Sequence, residues 1–150
     1  KSFEYVKISN ELDVLIVEDD EINQLLLMKL LLNHGGFNIN VANNGLQALE
    51  KVERNHYDLI FMDKEMPQMS GIKTTSIIRS NPNDKINSIP IIGVSGHSVK
   101  NVKGICDALG FNGYVVKPYK KEELLIPHPI ENPEAYKKAL GNRAKKETVN

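Results

Sequence analysis

Apolar residues in this chain gather into short runs, and between the runs they recur at helical spacing instead. The runs cover residues 13–17 (DVLIV), 37–42, 58–62 (DLIFM), 89–94 and 114–116, and β-branched side chains are frequent in them. Continuous rather than alternating hydrophobicity predicts strands buried on both faces of a parallel sheet. After the first run, Ile22, Leu25, Leu26 and Lys29 mark one face of a Leu-rich helix that Gly35 and Gly36 stop. Asn44 is placed to cap a second helix over residues 44–54, with Leu46, Leu49 and Val52 as its apolar stripe. Residues 72–79 read as a third helix, broken by Asn81-Pro82 and followed by a polar loop to Ser88. Residues 99–109 read as a fourth, closed by Gly110. Strand and helix alternate, and the connections are too long for hairpins. The expected fold is therefore α/β, a doubly wound five-stranded parallel sheet with right-handed crossovers.

A length of 150 residues with 41% hydrophobic content suits one domain with a single core. The expected organisation is a lead-in over residues 1–11, the domain over 12–126 and a tail over 127–150. Lys and Arg number 19 against 19 Asp and Glu, so no net field favours nucleic acid or an anionic membrane surface. Charge must act locally. The lone cysteine, Cys106, cannot form an internal disulfide and has no neighbour at metal-ligand spacing, which fits a reducing compartment and a cytoplasmic location. The most apolar stretch, residues 25–32, is interrupted by Lys29 and falls short of the roughly 20 residues a membrane span needs. The start does not read as a signal peptide, and Lys1 in place of Met suggests a piece of a longer protein.

Ligands on such sheets lie beyond the carboxyl ends of the strands, so residues at those ends converge whatever their separation in sequence. The first strand ends in Glu18 and Asp19, the third in Asp63 and the fourth in Ser95, while Lys117 and Pro118 follow the fifth. Crowded carboxylates resist ionisation unless a cation neutralises them. Mg²⁺ suits the set, because it takes few protein carboxylates, keeps several waters and completes its octahedron with phosphoryl oxygens. Asp63 has a second capacity, since a carboxylate can attack phosphorus to form an acyl phosphate. Lys117 would then stand where charge develops on the equatorial oxygens, and Ser95 could donate a hydrogen bond to the bound group. Plainer readings sit beside these. Asp20 and Glu21 are explained as acids favourable to a helix N-terminus. Ser95 also reads as a helix N-cap, Tyr114 as half-buried packing, and His34 and His97 as surface residues.

The segments VLIVEDDEINQ, DLIFMDKEMPQMSG, IPIIGVS and GYVVKP occur in this order, and together they resemble the receiver domain of two-component response regulators across residues 12–126. The resemblance implies a flavodoxin-like fold and a phosphoryl group carried on Asp63, itself also a Mg²⁺ ligand. It implies Asp19 as a direct metal ligand, Glu18 acting largely through water, and the main-chain carbonyl of Glu65 as the remaining protein ligand. Ser95 and Tyr114 correspond to the switch residues, and Lys117 to the lysine that holds the phosphoryl group. The implied donor is a phosphohistidine on a histidine kinase or a histidine phosphotransfer protein. EDDEINQ is similar to the same stretch in receivers attached to hybrid histidine kinases, which favours a phosphorelay. Glu65 and His97 fall at the two variable positions flanking the phosphorylation site, and Gly96 at a position where a small residue keeps access open.

The chain departs from the family pattern at its end. Pro127, Pro129 and Pro133 interrupt the last helix, which is expected to be short or displaced. Residues 134–144 suit a small helix and a solvated tail equally, given Lys137, Lys138, Lys145 and Lys146 nearby. Output through the surface that helix normally builds is therefore not expected. Other classes fit less well. A haloacid-dehalogenase-type phosphatase wants Asp-x-Asp after the first strand and room for a cap domain, and a flavin carrier wants a Gly-rich phosphate loop where this chain has acids. A phosphate sink draining a phosphotransfer protein stays open.

Overall fold

A computed structural model describes residues 3–8, 12–34, 36–117 and 144–149. The elements are β1 (Phe3–Ile8), β2 (Leu12–Val17), α1 (Glu21–His34), β3 (Phe37–Ala42), α2 (Gly45–Arg54), β4 (Leu59–Asp63), α3 (Gly71–Arg79), α4 (Asp84–Asn87), β5 (Ile91–Ser95), α5 (Val102–Leu109), β6 (Gly113–Val116) and β7 (Ala144–Val149). Strands β2 to β6 form the expected five-stranded sheet in the order β3-β2-β4-β5-β6, with every pair parallel. This is the flavodoxin-like order, in which the chain reverses direction across the sheet at β2 and leaves a crevice there.

Side chains alternate between the two faces of each strand. Val14, Ile16, Leu59, Phe61, Ile92 and Val94 pack on one face with Leu27 and Leu31 of α1. Leu15, Val17, Ile60, Met62 and Ile91 pack on the other with Ala48 and Val52 of α2, Ile78 of α3 and Cys106 of α5. The pattern of continuous runs is explained by this double burial.

Two apolar faces turned out differently from the sequence reading. On α1 the core residues are Leu27 and Leu31, whereas Ile22, Leu25 and Leu32 are 75%, 65% and 57% exposed. The helix is apolar nearly all round, so periodicity did not say which side would be covered. On α2 the Leu46 side chain points to solvent and Gly45, Ala48 and Val52 face the sheet. Asn44 does cap this helix, its side chain accepting from the Gln47 N–H at 2.8 Å.

Boundaries shifted for local reasons. Strand β5 begins at Ile91 rather than residue 89, because Pro90 has no N–H for the ladder and offers only its carbonyl, to Ile60. Helix α5 begins at Val102 rather than residue 99, since Asn101 caps it by accepting from the Gly104 N–H. Gly110 ends it in the left-handed region at φ 83, as a C-terminal glycine should. The polar loop before Ser88 contains the short α4, capped by Asn83.

The two ends of the chain meet. Strand β1 pairs antiparallel with β7 as a separate two-stranded sheet, Phe3 opposite Val149 and Ile8 opposite Ala144. Lys145 and Lys146 thus lie in a strand. Pairing between segments so far apart in sequence satisfies both backbones at once, and neither segment names its partner by itself. The expected short or displaced last helix, Pro118, Pro127, Pro129, Pro133 and residues 134–143 lie outside the described residues.

Candidate functional site

The end of β2 carries Glu18, whose N–H donates to the Ala42 carbonyl at 3.1 Å and so continues the ladder with β3. Its carboxylate is thereby aimed into the crevice and buried at 4% exposure. Gln24 on the first turns of α1 locks the corner, donating to the Glu18 carbonyl at 2.6 Å and to the Asn43 side chain at 2.7 Å. Asp20 acts locally at the start of α1, its carboxylate accepting from the Ile22 N–H at 3.4 Å, as its plain reading required. Asp19 is exposed at the mouth of the crevice.

Asp63 is the last residue of β4 and is 3% exposed. The following loop is held down by Lys64, whose N–H donates to the Val94 carbonyl at 2.7 Å, and by Gly71, whose N–H donates to the Lys64 carbonyl at 3.0 Å. A side chain at Gly71 would collide with the main-chain carbonyl of Asp63, so only glycine lets α3 start this close beneath the site. Ser95 ends β5 fully buried, and its carbonyl accepts from the Lys117 N–H at 2.7 Å. That bond extends the β5–β6 ladder and delivers Lys117 to the same crevice.

There the Lys117 ammonium lies 2.8 Å from Glu18 Oε1 and 3.5 Å from Asp63 Oδ1. Carboxylate oxygens of Glu18, Asp19 and Asp63 all come within 4.8 Å of one another. One ammonium faces three carboxylates, and the imbalance is felt at Asp63. Burial, followed by the hydrogen bond and charge of Glu18, pushes its carboxyl up to about 8, against the opposing pull of Lys117 and the Glu65 N–H. Burial disfavours the Lys117 ammonium, but Glu18 and Asp63 outweigh that and hold it above the usual lysine range. Such a cluster is a place for a hard cation with oxygen ligands.

The strand-end residues expected from sequence, Glu18, Asp19, Asp63, Ser95 and Lys117, thus surround one crevice. The Glu65 side chain does something the sequence did not announce. Its carboxylate turns to β5 and accepts from the Ser95 hydroxyl at 2.8 and 3.0 Å. Tyr114 is buried at 5% exposure, its hydroxyl donating to the His97 carbonyl at 2.8 Å, while the Lys64 ammonium lies 5.5 Å above its ring. His97 itself is exposed, as expected. Arg79, unremarked in sequence, is half-buried and donates to the carbonyls of Asn87, Ile89 and Gly110 and to the Asn112 side chain at 2.7 to 3.0 Å. It ties α3 to the far end of the sheet and plays no part in the crevice. No local signal marks such roles, because both side chains find their partners in distant segments.

Residues 14–126 match the family profile described as the response regulator receiver domain. Hybrid signal transduction histidine kinase B of Dictyostelium discoideum is 35% identical over 122 residues, covering 75% of this chain and 6% of that protein. Kinase K of the same organism is 40% identical over 116 residues, covering 74% of this chain and 10% of that protein. The chain therefore spans about a tenth or less of these relatives' length. Among solved structures, the receiver domain of a sensor histidine kinase from Pseudomonas aeruginosa, with a magnesium ion coordinated in its active site cleft, superposes with a TM-score of 0.67 at 31% identity, covering 76% of this chain and 91% of that one. Sheet order, crevice and profile agree, and the chain belongs to the response regulator receiver family of two-component signalling.

Proposed function

We propose that Asp63 accepts a phosphoryl group from a phosphohistidine on a signalling partner, in a reaction that depends on Mg²⁺. The observation carrying this reading is the buried Asp63 carboxylate, with the Lys117 ammonium at 3.5 Å and the Glu18 and Asp19 carboxylates within 4.8 Å. An Asp63 carboxylate oxygen bonds to phosphorus while the N–P bond of the donor breaks, and the imidazole nitrogen keeps that electron pair. Lys117, steadied by Glu18 at 2.8 Å, meets the negative charge that builds on the phosphoryl oxygens. Ser95 at the neighbouring strand end would donate its hydroxyl to the transferred group once the Glu65 carboxylate gives it up.

The crevice fits Mg²⁺ in its chemistry, with all-oxygen donors and more negative charge than Lys117 neutralises. Glu18, Asp19 and Asp63 would hold the ion, and the family resemblance adds the main-chain carbonyl of Glu65. When bound, the ion neutralises the cluster and screens the incoming phosphoryl oxygens.

The exposed Ile22, Leu25 and Leu26 stand on the first turns of α1, directly after the acidic corner. An apolar patch beside a reactive centre suits protein docking, and the occupant proposed is the histidine kinase or phosphotransfer protein that carries the phosphohistidine. Its similarity to hybrid kinases supports a place in a phosphorelay, as the receiver part of a hybrid kinase or as a response regulator. The lone thiol of Cys106 fits a reducing compartment, and the reaction is expected in the cytoplasm.

The test is transfer from a radiolabelled histidine phosphotransfer protein, with Mg²⁺ present or chelated, to wild type and to Asp63→Asn. Label should reach the wild type alone and only with the metal. Equal labelling of the Asn variant would refute the assignment. A long-lived label would mark a signalling switch, and rapid loss to water a phosphate sink.

A further inference from the structure

Beside Asp63 a ring of contacts runs through β4, β5 and β6. Ser95 donates its hydroxyl proton to the Glu65 carboxylate, 2.8 Å from Oε2 and 3.0 Å from Oε1. The Gly96 N–H is directed at Oε1 from 3.5 Å, and the Lys64 ammonium stands 3.8 Å from Oε2. A hydroxyl and an amide from the end of β5, with an ammonium from the loop after β4, make a place for an anion. Glu65 fills it, while its own N–H donates to the Asp63 carboxylate at 3.3 Å. From Ser95 the ring continues outward. The His97 N–H donates to Ser95 Oγ at 3.1 Å, the Tyr114 hydroxyl donates to the His97 carbonyl at 2.8 Å, and Lys64 donates to the Tyr114 hydroxyl at 3.4 Å.

We propose that the Glu65 carboxylate is a tethered competitor of the phosphoryl group, occupying the Ser95 hydroxyl and the Gly96 N–H until an anion on Asp63 displaces it. The inference rests on the phosphoacceptor reading of Asp63 and adds a positioning residue to it. A hydroxyl has one proton to donate, so Ser95 cannot serve Glu65 and a phosphoryl group together. Two anions this close also repel. The Glu65 side chain is 46% exposed and can leave into water, whereas Asp63 is buried and cannot. Exchange therefore hands the Ser95 proton from one anion to the other, and at neither stage is the buried hydroxyl left without an acceptor. The consequence reaches Tyr114. With Glu65 in place, the turn after β5 and the Tyr114 ring are held inward before any phosphorylation, and the change that phosphorylation brings to the surface is the release of the Glu65 carboxylate.

The test uses beryllium fluoride with Mg²⁺ as a stable stand-in for the phosphoryl group on Asp63, titrated calorimetrically into the full chain. Glu65→Ala is expected to bind it on the order of tenfold more tightly than wild type, since a hydrogen bond to a charged group no longer has to be displaced. Glu65→Gln, which keeps an acceptor without the charge, should fall between. The gain should vanish when Ser95→Ala is combined with Glu65→Ala, because the contested proton is gone. In ligand-free protein, the Gly96 and His97 amides of Glu65→Ala should exchange with solvent faster than in wild type. Unchanged or weaker binding by Glu65→Ala would overturn the proposal. A gain that persists undiminished in the Ser95→Ala background would do the same, showing charge repulsion without competition for the hydroxyl. Wild type binding no better than Asp63→Asn would instead strike the phosphoacceptor reading, and the inference with it.

Discussion

Asp63 and Lys117 define the site at the scale of single residues, and their electrostatics carry a consequence for stability. In the folded chain the Asp63 carboxyl is raised from 3.8 to about 8, chiefly by burial and then by Glu18. Between those two values the folded state holds a proton that the unfolded state has lost. Stability contributed by this group therefore falls as pH rises through that window and levels off above it. With divalent ions chelated, Asp63→Asn should flatten this part of the pH profile. At about pH 9 it should raise stability on the order of 2 kcal/mol, the loss of a partner for Lys117 offsetting part of the gain. Urea denaturation at about pH 6 and about pH 9 checks this; the same slope in both proteins would count against it. Residue positions were unevenly legible. The convergence of Glu18, Asp19, Asp63, Ser95 and Lys117 could be read from sequence because a strand's end sets where the backbone leaves the sheet. Glu65 was named for its main-chain carbonyl and its place beside Asp63, but the course of its carboxylate was not legible, because a flexible side chain goes wherever donors lie, and here those are Ser95 and Gly96.

Helix α1 shows what an element adds. Its leucines divide into a buried pair, Leu27 and Leu31, and an exposed set led by Leu25. Leu27→Ala should cost about 3 kcal/mol, since it removes packed methyl groups and leaves a cavity under the sheet. Leu25→Ala should cost less than about 0.5 kcal/mol, because its side chain is already in water. The same Leu25→Ala should slow transfer from a phosphotransfer protein while leaving phosphorylation by a small acyl phosphate unchanged. Equal slowing with both donors would remove α1 from the docking surface. Arg79 belongs to this scale as well. Its planar fork joins α3 to the residues around β5 and α5, and burial lowers its guanidinium below the usual arginine range. The sequence placed the helix end at Arg79 and said nothing of what its side chain does.

At the scale of the whole molecule, the crevice joins β2 and β4, so an ion held there should stabilise the sheet and not only the site. Mg²⁺ at about 100 times its dissociation constant adds about 2.7 kcal/mol, which corresponds to a rise in Tm of roughly 8 °C. A chelator should reverse the rise, and Asp19→Asn should abolish most of it. A Tm indifferent to Mg²⁺, or an equal rise in the Asn variant, would speak against metal binding by this cluster. Among the described residues no helix is long and apolar enough to cross a membrane. The sequence by itself determined the parallel α/β class and the residues that gather at the strand ends, because continuous apolar runs and the chemistry that follows them are written locally. Tertiary structure alone decided that β1 pairs with β7, that α1 turns Leu27 inward and Leu25 outward, and that the Glu65 carboxylate lies on Ser95. Hydrophobic burial has no direction of its own, so a helix apolar on every side takes its orientation from what it packs against. A hydrogen bond needs a partner at one distance and one angle, and only the folded chain supplies it.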